Sequence, residues 1–142
     1  MVTKPNLETQ LLMRGDNAKP LIEARSGLSF SVEEVAVRMK TSRKTVIAWA
    51  QAGRCVAYRD RSSKRCLRLP AWQFTHTQGI HDWVAPLITA FGQNGWALVD
   101  FLTVPRRGHV ADIMLDGESL LQRIEAGDVQ LALETARRAN PD

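Results

Sequence analysis

Apolar residues recur along this chain first at the period of a helix, then at that of a strand, then at that of a helix again. Val32, Val35, Ala36 and Met39 fall at i, i+3, i+4 and i+7, which predicts one buried stripe on a helix running to about Lys40. Ser31, followed three residues later by Glu34, is a capping box that starts this helix at Val32. The hydroxyl can accept from an early helix N–H while the carboxylate reaches back to the cap's own N–H. Thr41 and Ser42 interrupt the stripe. Ser42 suits a second cap, and Val46, Ile47, Trp49 and Ala50 give the next helix its own apolar face until Gly53 ends it in a left-handed conformation. Beyond Gly53 the period falls to two: residues 55–59 and 65–69 alternate loosely around Asp60-Arg61-Ser62-Ser63-Lys64, whose Asp and Ser residues suit a turn. Two short helices, a tight turn and a hairpin are therefore expected over residues 28–69.

The helical period returns in residues 70–142. Trp83, Leu87, Ile88 and Phe91 predict one amphipathic helix with Pro86 tolerated in its first turn, and Trp96, Val99 and Leu102 a second that Pro105 stops. Asp116-Gly117 reads as a turn, Leu120, Leu121 and Ile124 as a third helix closed by Gly127, and Val129, Leu131, Leu133 and Ala136 as a fourth capped by Asp128. The Trp and Leu positions of these four helices read as core. Residues 1–27 are less regular: Leu7, Leu11 and Leu12 suit one helix and Leu21 and Ile22 another, interrupted by Gly15 and Asp16, as in a packing or dimerisation arm. The expected fold is mainly α with a small β-hairpin wing: a helical arm (1–27), a winged helix-turn-helix (28–69) and a small helical domain (70–142).

Charge changes the picture by being local. Ten of the nineteen Lys and Arg residues lie in residues 38–68 with a single acid, Asp60, although the whole chain carries only +4. The flanking segments are slightly acidic, so a cationic module sits between two anionic ones, and such a field attracts a polyanion, nucleic acid first. About 100° per residue puts Lys44, Thr45, Ala48 and Gln51 opposite the apolar face of the second helix. Ala48 lets the backbone approach a groove, Lys44 and Gln51 can reach base edges or phosphates, and Ser42 with the free N–H groups of the first turn suits a phosphate oxygen. Arg43 lies nearer the buried side but can swing out from the first turn. Arg59, Arg61, Lys64 and Arg65 near the hairpin tip would lie along the backbone or minor groove, and four bases within seven residues exceed what solubility requires.

Phe30-Ser31-Val32-Glu33-Glu34-Val35-Ala36, Thr41-Ser42-Arg43-Lys44-Thr45-Val46, Trp49-Ala50-Gln51-Ala52-Gly53-Arg54 and the basic hairpin together resemble the winged helix-turn-helix of excisionase and MerR-like proteins. That resemblance covers residues 27–69 and implies that Ser42, Arg43, Lys44 and Thr45 lie at DNA while residues 61–65 grip the backbone. A second resemblance begins at Leu69-Pro70-Ala71-Trp72-Gln73-Phe74. It continues through Trp96-Ala97-Leu98, Phe101-Leu102-Thr103-Val104-Pro105, Leu115-Asp116-Gly117-Glu118-Ser119-Leu120-Leu121 and Glu125-Ala126-Gly127-Asp128. These segments, spanning residues 69–139, are similar to bacterial antitoxins of the Xre/MbcA/ParS group. Glu118-Ser119 stands where that family often has Thr-Pro, and its usual DNA-binding half is a different helix-turn-helix. The resemblance implies a cytoplasmic antitoxin that represses its own operon and neutralises a cognate toxin, of the NAD-consuming RES type, through its C-terminal domain. Operator DNA, the toxin and a homodimer or higher oligomer are the implied partners. The acidic tail has no obvious use at DNA, and its end at Arg137, Arg138 and Asn140 suits insertion into a partner's active-site cleft. The alternative is an excisionase-like or regulatory DNA-binding protein whose tail only oligomerises.

Other classes fit less well. No phosphate-binding Gly-rich loop, strained nucleophile turn or carboxylate pair set against a His is present, so neither an enzyme nor a cofactor is expected. His109-Val110-Ala111-Asp112 would share a face if helical and reads as surface or a cap. His76, His81 and His109 complete no zinc spacing, and no metal is expected. Cys55 and Cys66 lie on opposite hairpin arms, with Cys66 facing Arg59, out of register for a disulfide and consistent with a reduced compartment. The apolar run over 83–91 is too short for a membrane span and contains Pro, and the N-terminus lacks a signal peptide's hydrophobic core. At 142 residues and 44% hydrophobic content the chain is one domain by size or two small interdependent ones.

Overall fold

Local signals start and stop most helices of the computed structural model, which describes residues 18–63, 65–77 and 79–139. The first described helix, α1 (Lys19–Ser26), carries Pro20 in its first turn and ends at Gly27, whose φ is 77°. It buries Ile22 and leaves Leu21 exposed. The helix expected around Leu7, Leu11 and Leu12 lies outside the described residues. Strand β1 (Ser29–Ser31) runs directly into α2 (Val32–Arg38). The capping box is formed as expected: Glu34 N–H donates to Ser31 Oγ at 3.1 Å and Ser31 N–H to Glu34 Oε1 at 3.0 Å. After α2 the chain turns through Lys40, a left-handed non-glycine residue at φ 54°. Ser42 then caps α3 (Arg43–Gln51) by accepting from Thr45 N–H at 3.2 Å, and Gly53 ends that helix at φ 74°.

Strands β2 (Tyr58–Arg59) and β3 (Leu67–Pro70) form the expected hairpin, but shorter than the alternation suggested. β1 pairs with the far side of β3, making a three-stranded antiparallel sheet in the order β1-β3-β2. That third strand is too short to show a period of two in the sequence. The register also differs by one residue from expectation. Arg59 pairs with Leu67, and Cys66 accepts a backbone hydrogen bond from Asp60 at 2.9 Å instead of facing Arg59. Asp60 Oδ1 tightens the loop by accepting from Ser62 N–H and Oγ–H at 2.8 and 2.7 Å.

From β3 a single turn of 3₁₀ helix (Ala71–Gln73) leads to α4 (Val84–Phe91) and α5 (Gly95–Thr103), then β4 (Arg106–Val110), β5 (Ile113–Glu118), α6 (Leu120–Glu125) and α7 (Val129–Ala139). All four expected tail helices are present. A tail made of helices alone is not: β4 and β5 form an antiparallel hairpin between the second and third. Asp116-Gly117 is accordingly no connecting turn. Both residues lie in β5, and Gly117, at φ 98°, is the extra residue of a bulge between the Arg106–Glu118 and Arg107–Asp116 pairs. The reversal falls at Ala111 and Asp112, with φ of 47° and 70°, the twist that a two-residue hairpin turn demands. Ala111 does not advertise it, since glycine, asparagine and aspartate are the usual occupants.

Two clusters of buried side chains hold the fold. Val32, Val35, Ala36, Val46, Cys55 and Leu69 form the smaller, and it lies wholly within residues 28–69. The larger draws on α4 to α7 but also takes Ile22 from α1, Val56 from the segment after α3 and Tyr58 from β2. Residues 18–26, expected in an arm, are thus built into the helical body, where Arg25 meets Asp100 at 2.6 Å and Trp72 donates to Ser26 Oγ at 3.0 Å. Buried Gln73 joins the clusters. Its Oε1 accepts from Val56 N–H at 2.7 Å, and its Nε2 donates to the Val56 and Pro70 carbonyls at 2.8 and 3.1 Å. Gln73→Leu keeps the volume but strands the Val56 amide and carbonyl without partners. It should cost about 2–4 kcal/mol in urea unfolding, against under about 0.5 kcal/mol for the exposed control Glu125→Gln.

Candidate nucleic-acid interface

The outward face of α3 is built from the residues that the helical period selects. Lys44, Ala48 and Gln51 are exposed and Thr45 half-buried, while Val46 on the opposite side is wholly buried. The first turn is tied up locally: Ser42 Oγ accepts from Thr45 N–H and lies 2.9 Å from Thr45 Oγ1. The hydroxyl of Ser42 is therefore engaged in capping, and its neighbours carry the outward chemistry. Arg43 reaches back across the turn and donates from Nε to Glu33 Oε1 at 2.8 Å. A hydrogen bond from its own backbone N–H, followed by the Arg43 contact, holds the Glu33 carboxyl below the ordinary glutamate range. Both partners are exposed, so the pair adds little to stability and can exchange for another anion.

The hairpin arginines separate into two groups. Arg59 and Arg65 line a cavity of about 310 Å³ between α3 and the hairpin, and Arg43 and Gln51 close it from the helix side. Arg61 does not line that cavity; it shares a second recess with Arg59 and lies 3.4 Å from Glu23 of α1, beside Arg68. Arg68 is a framework residue, donating to Ser29 O at 2.8 Å and Ser29 Oγ at 3.0 Å, and Arg38 covers the Phe30 ring at 4.6 Å. In the sequence these side chains register only as charge; which of them brace the sheet depends on strand β1, which the sequence does not announce.

Lys64 and Asn140 lie outside the described residues. Arg137 and Arg138 are exposed near the end of α7, far along the chain from the basic stretch and held on their own helix: Glu134 lies 3.7 Å from Arg137 and 3.2 Å from Arg138, which also reaches Asp112 of the β4–β5 turn at 3.6 Å. His109 and Asp112 do not share a helical face, because His109 is in β4 and Asp112 in the turn that follows. Among the described residues no group of three or more His, Cys, Asp or Glu side chains is arranged to hold a metal, and no helix is long and apolar enough to cross a membrane. No family model, curated protein or solved structure matches this chain.

The two cysteines report on the cavity and the hairpin separately. Cys55 is buried at the cavity floor, and burial pushes its thiol up to about 12. Cys66 is exposed in the hairpin loop. Since the thiolate is the reactive form, a maleimide added to the native protein at neutral pH should label Cys66 within minutes and Cys55 only after unfolding. Equal labelling of both in native protein, read by intact mass, would contradict the packing described.

Proposed function

We propose that this protein binds operator DNA through residues 28–69, with α2, the turn and α3 acting as a helix-turn-helix and the β2–β3 hairpin as its wing, and that it serves as the antitoxin and autorepressor of a type II toxin–antitoxin pair. One observation carries the DNA reading. The capped helix α3 turns Lys44, Ala48 and Gln51 outward beside an arginine-lined cleft, in a stretch where ten bases face one acid. Phosphates meet Lys44, Arg59 and Arg65, the first-turn N–H groups of α3 add to them, and Gln51 reads a base edge across the gap that Ala48 leaves. Arg43 exchanges Glu33 for a phosphate. Arg61 contributes less than its neighbours in this reading, because it faces α1. A single module of this size reads few base pairs, so two copies on paired half-sites supply the specificity.

The antitoxin half of the reading rests on the resemblance of residues 69–139 to Xre/MbcA/ParS-type antitoxins. The partner is a toxin, of the RES type, met by the α7 end at Arg137 and Arg138. Both arginines are exposed, and their described partners are half-exposed Glu134 and, for Arg138, exposed Asp112, so the pairs can exchange for another anion at little cost.

In a duplex titration, log affinity should fall with log salt at about −0.9 per phosphate neutralised, and Lys44→Ala or Arg65→Ala should each make that slope shallower by about one phosphate. A slope near zero, or variants that bind like the parent, would overturn the DNA reading. Co-expression tests the other half: the product of the adjacent gene should co-purify with the protein, and Arg137→Glu with Arg138→Glu should weaken the complex while the thermal melt stays unchanged. An adjacent integrase in place of a toxin, and no complex, would favour the excisionase-like alternative.

A further inference from the structure

The cleft between α3 and the hairpin is also a cavity with a floor. Ile47 and Ala50 from α3, Leu67 from β3, Ile88 from α4 and Leu98 from α5 supply apolar surface, and Arg43, Arg59 and Arg65 stand around it with no acidic residue among the described residues of the lining. We propose that this cavity binds a small amphipathic organic anion, an aromatic or aliphatic body carrying one sulfonate, carboxylate or phosphate head. Its volume of about 310 Å³ lies at the lower end of the range for small-molecule sites. An inorganic ion would satisfy the arginines but leave the apolar floor in water. A neutral hydrocarbon would cover the floor and make no use of the guanidinium donors around it. Only a ligand with both parts matches both surfaces, and the side-chain amides of Gln51 and Gln93 offer it further hydrogen bonds.

The walls come from both clusters of buried side chains. Cys55 and Val32 belong to the smaller, Val56, Ile88 and Leu98 to the larger, and all five line the cavity. Two glycines let these walls approach: a Cβ at Gly95 would lie 1.8 Å from the Ala57 carbonyl oxygen, and one at Gly53 would lie 2.9 Å from Gln93 Nε2 and 3.4 Å from Ile88 Cγ2. A bound ligand therefore touches the basic module and the helical body at once. It also occupies arginines assigned above to phosphates, so ligand and duplex compete; this consequence, unlike the site itself, rests on the DNA reading.

Fluorescence titration of the full chain with 8-anilinonaphthalene-1-sulfonate, which joins an aromatic body to one anionic head, tests the site without DNA. Saturable binding is expected, with affinity falling about 10-fold in Arg59→Gln combined with Arg65→Gln. Ala50→Leu, which fills the floor, should abolish it, and Arg107→Gln on the β4–β5 hairpin should not change it. N-phenyl-1-naphthylamine, the same rings without the sulfonate, should show no dependence on the two arginines, and circular dichroism melts verify that each variant is folded. Absence of saturable binding, or binding unmoved by both the arginine pair and Ala50→Leu, overturns the proposal. In a second arm the dye should displace a labelled duplex. Should the protein bind no duplex at all, the DNA reading falls while the first titration still decides the site.

Discussion

The Gln73 side chain is the contact on which the arrangement of this molecule depends. A primary amide has a donor and an acceptor side by side, and Gln73 presents them to the N–H and carbonyl of Val56 as a neighbouring strand would. Residues 55–57 lie between α3 and β2 without a ladder of their own, yet Cys55 and Val56 are buried. Burial without partners would carry the full desolvation penalty of the peptide groups. Gln73 removes that penalty at Val56, and because it also donates to Pro70 it ties the exit of β3 to the same point.

Everything downstream of that tie brings the two clusters of side chains together. Cys55 turns into the smaller cluster and Val56, its neighbour, into the larger. Tyr58 extends the larger cluster across β2 and packs at a tilt against Trp96, ring centroids 4.5 Å apart, while burial raises its hydroxyl above the ordinary tyrosine range. On the other side α1 closes over α5 through Ile22 and the Arg25–Asp100 pair. The basic module is consequently no tethered bead. It shares a wall with the helical body, and the cleft beside α3 is the place where that wall is incomplete.

Gathering ten cations into thirty-one residues also sets up self-repulsion. The fold relieves part of it locally. Glu33 meets Arg43, Glu23 meets Arg61, Arg38 lies over the Phe30 ring, and Arg68 donates to Ser29. These contacts divide the basic residues into those that brace the sheet and those that face solvent around α3 and the cleft. The second group, with Lys44, Arg59 and Arg65, concentrates positive charge beside the cleft, where an anion, polymeric or small, would meet it.

The helices of the basic module and tail, with their caps, were legible in the sequence because they are set by interactions spanning three or four residues. Ser31 with Glu34, Ser42 with Thr45, and Gly53 at positive φ each act within one turn, and the apolar stripes need no knowledge of what they pack against. The charge of residues 38–68 was equally open to reading, since it is a sum over composition. Strand β1 and the β4–β5 hairpin were not legible: three residues show no alternation, and a turn made by Ala111 and Asp112 is held in its left-handed conformation by the ladder on either side. Nor did the sequence reveal that Ile22, Val56 and Tyr58 join the tail's core, or that Arg61 pairs with Glu23 while Arg59 and Arg65 line the cleft. A strand exists only with its partner, and a long arginine side chain points wherever its neighbours leave it an anion and room, so both are decided by the folded chain.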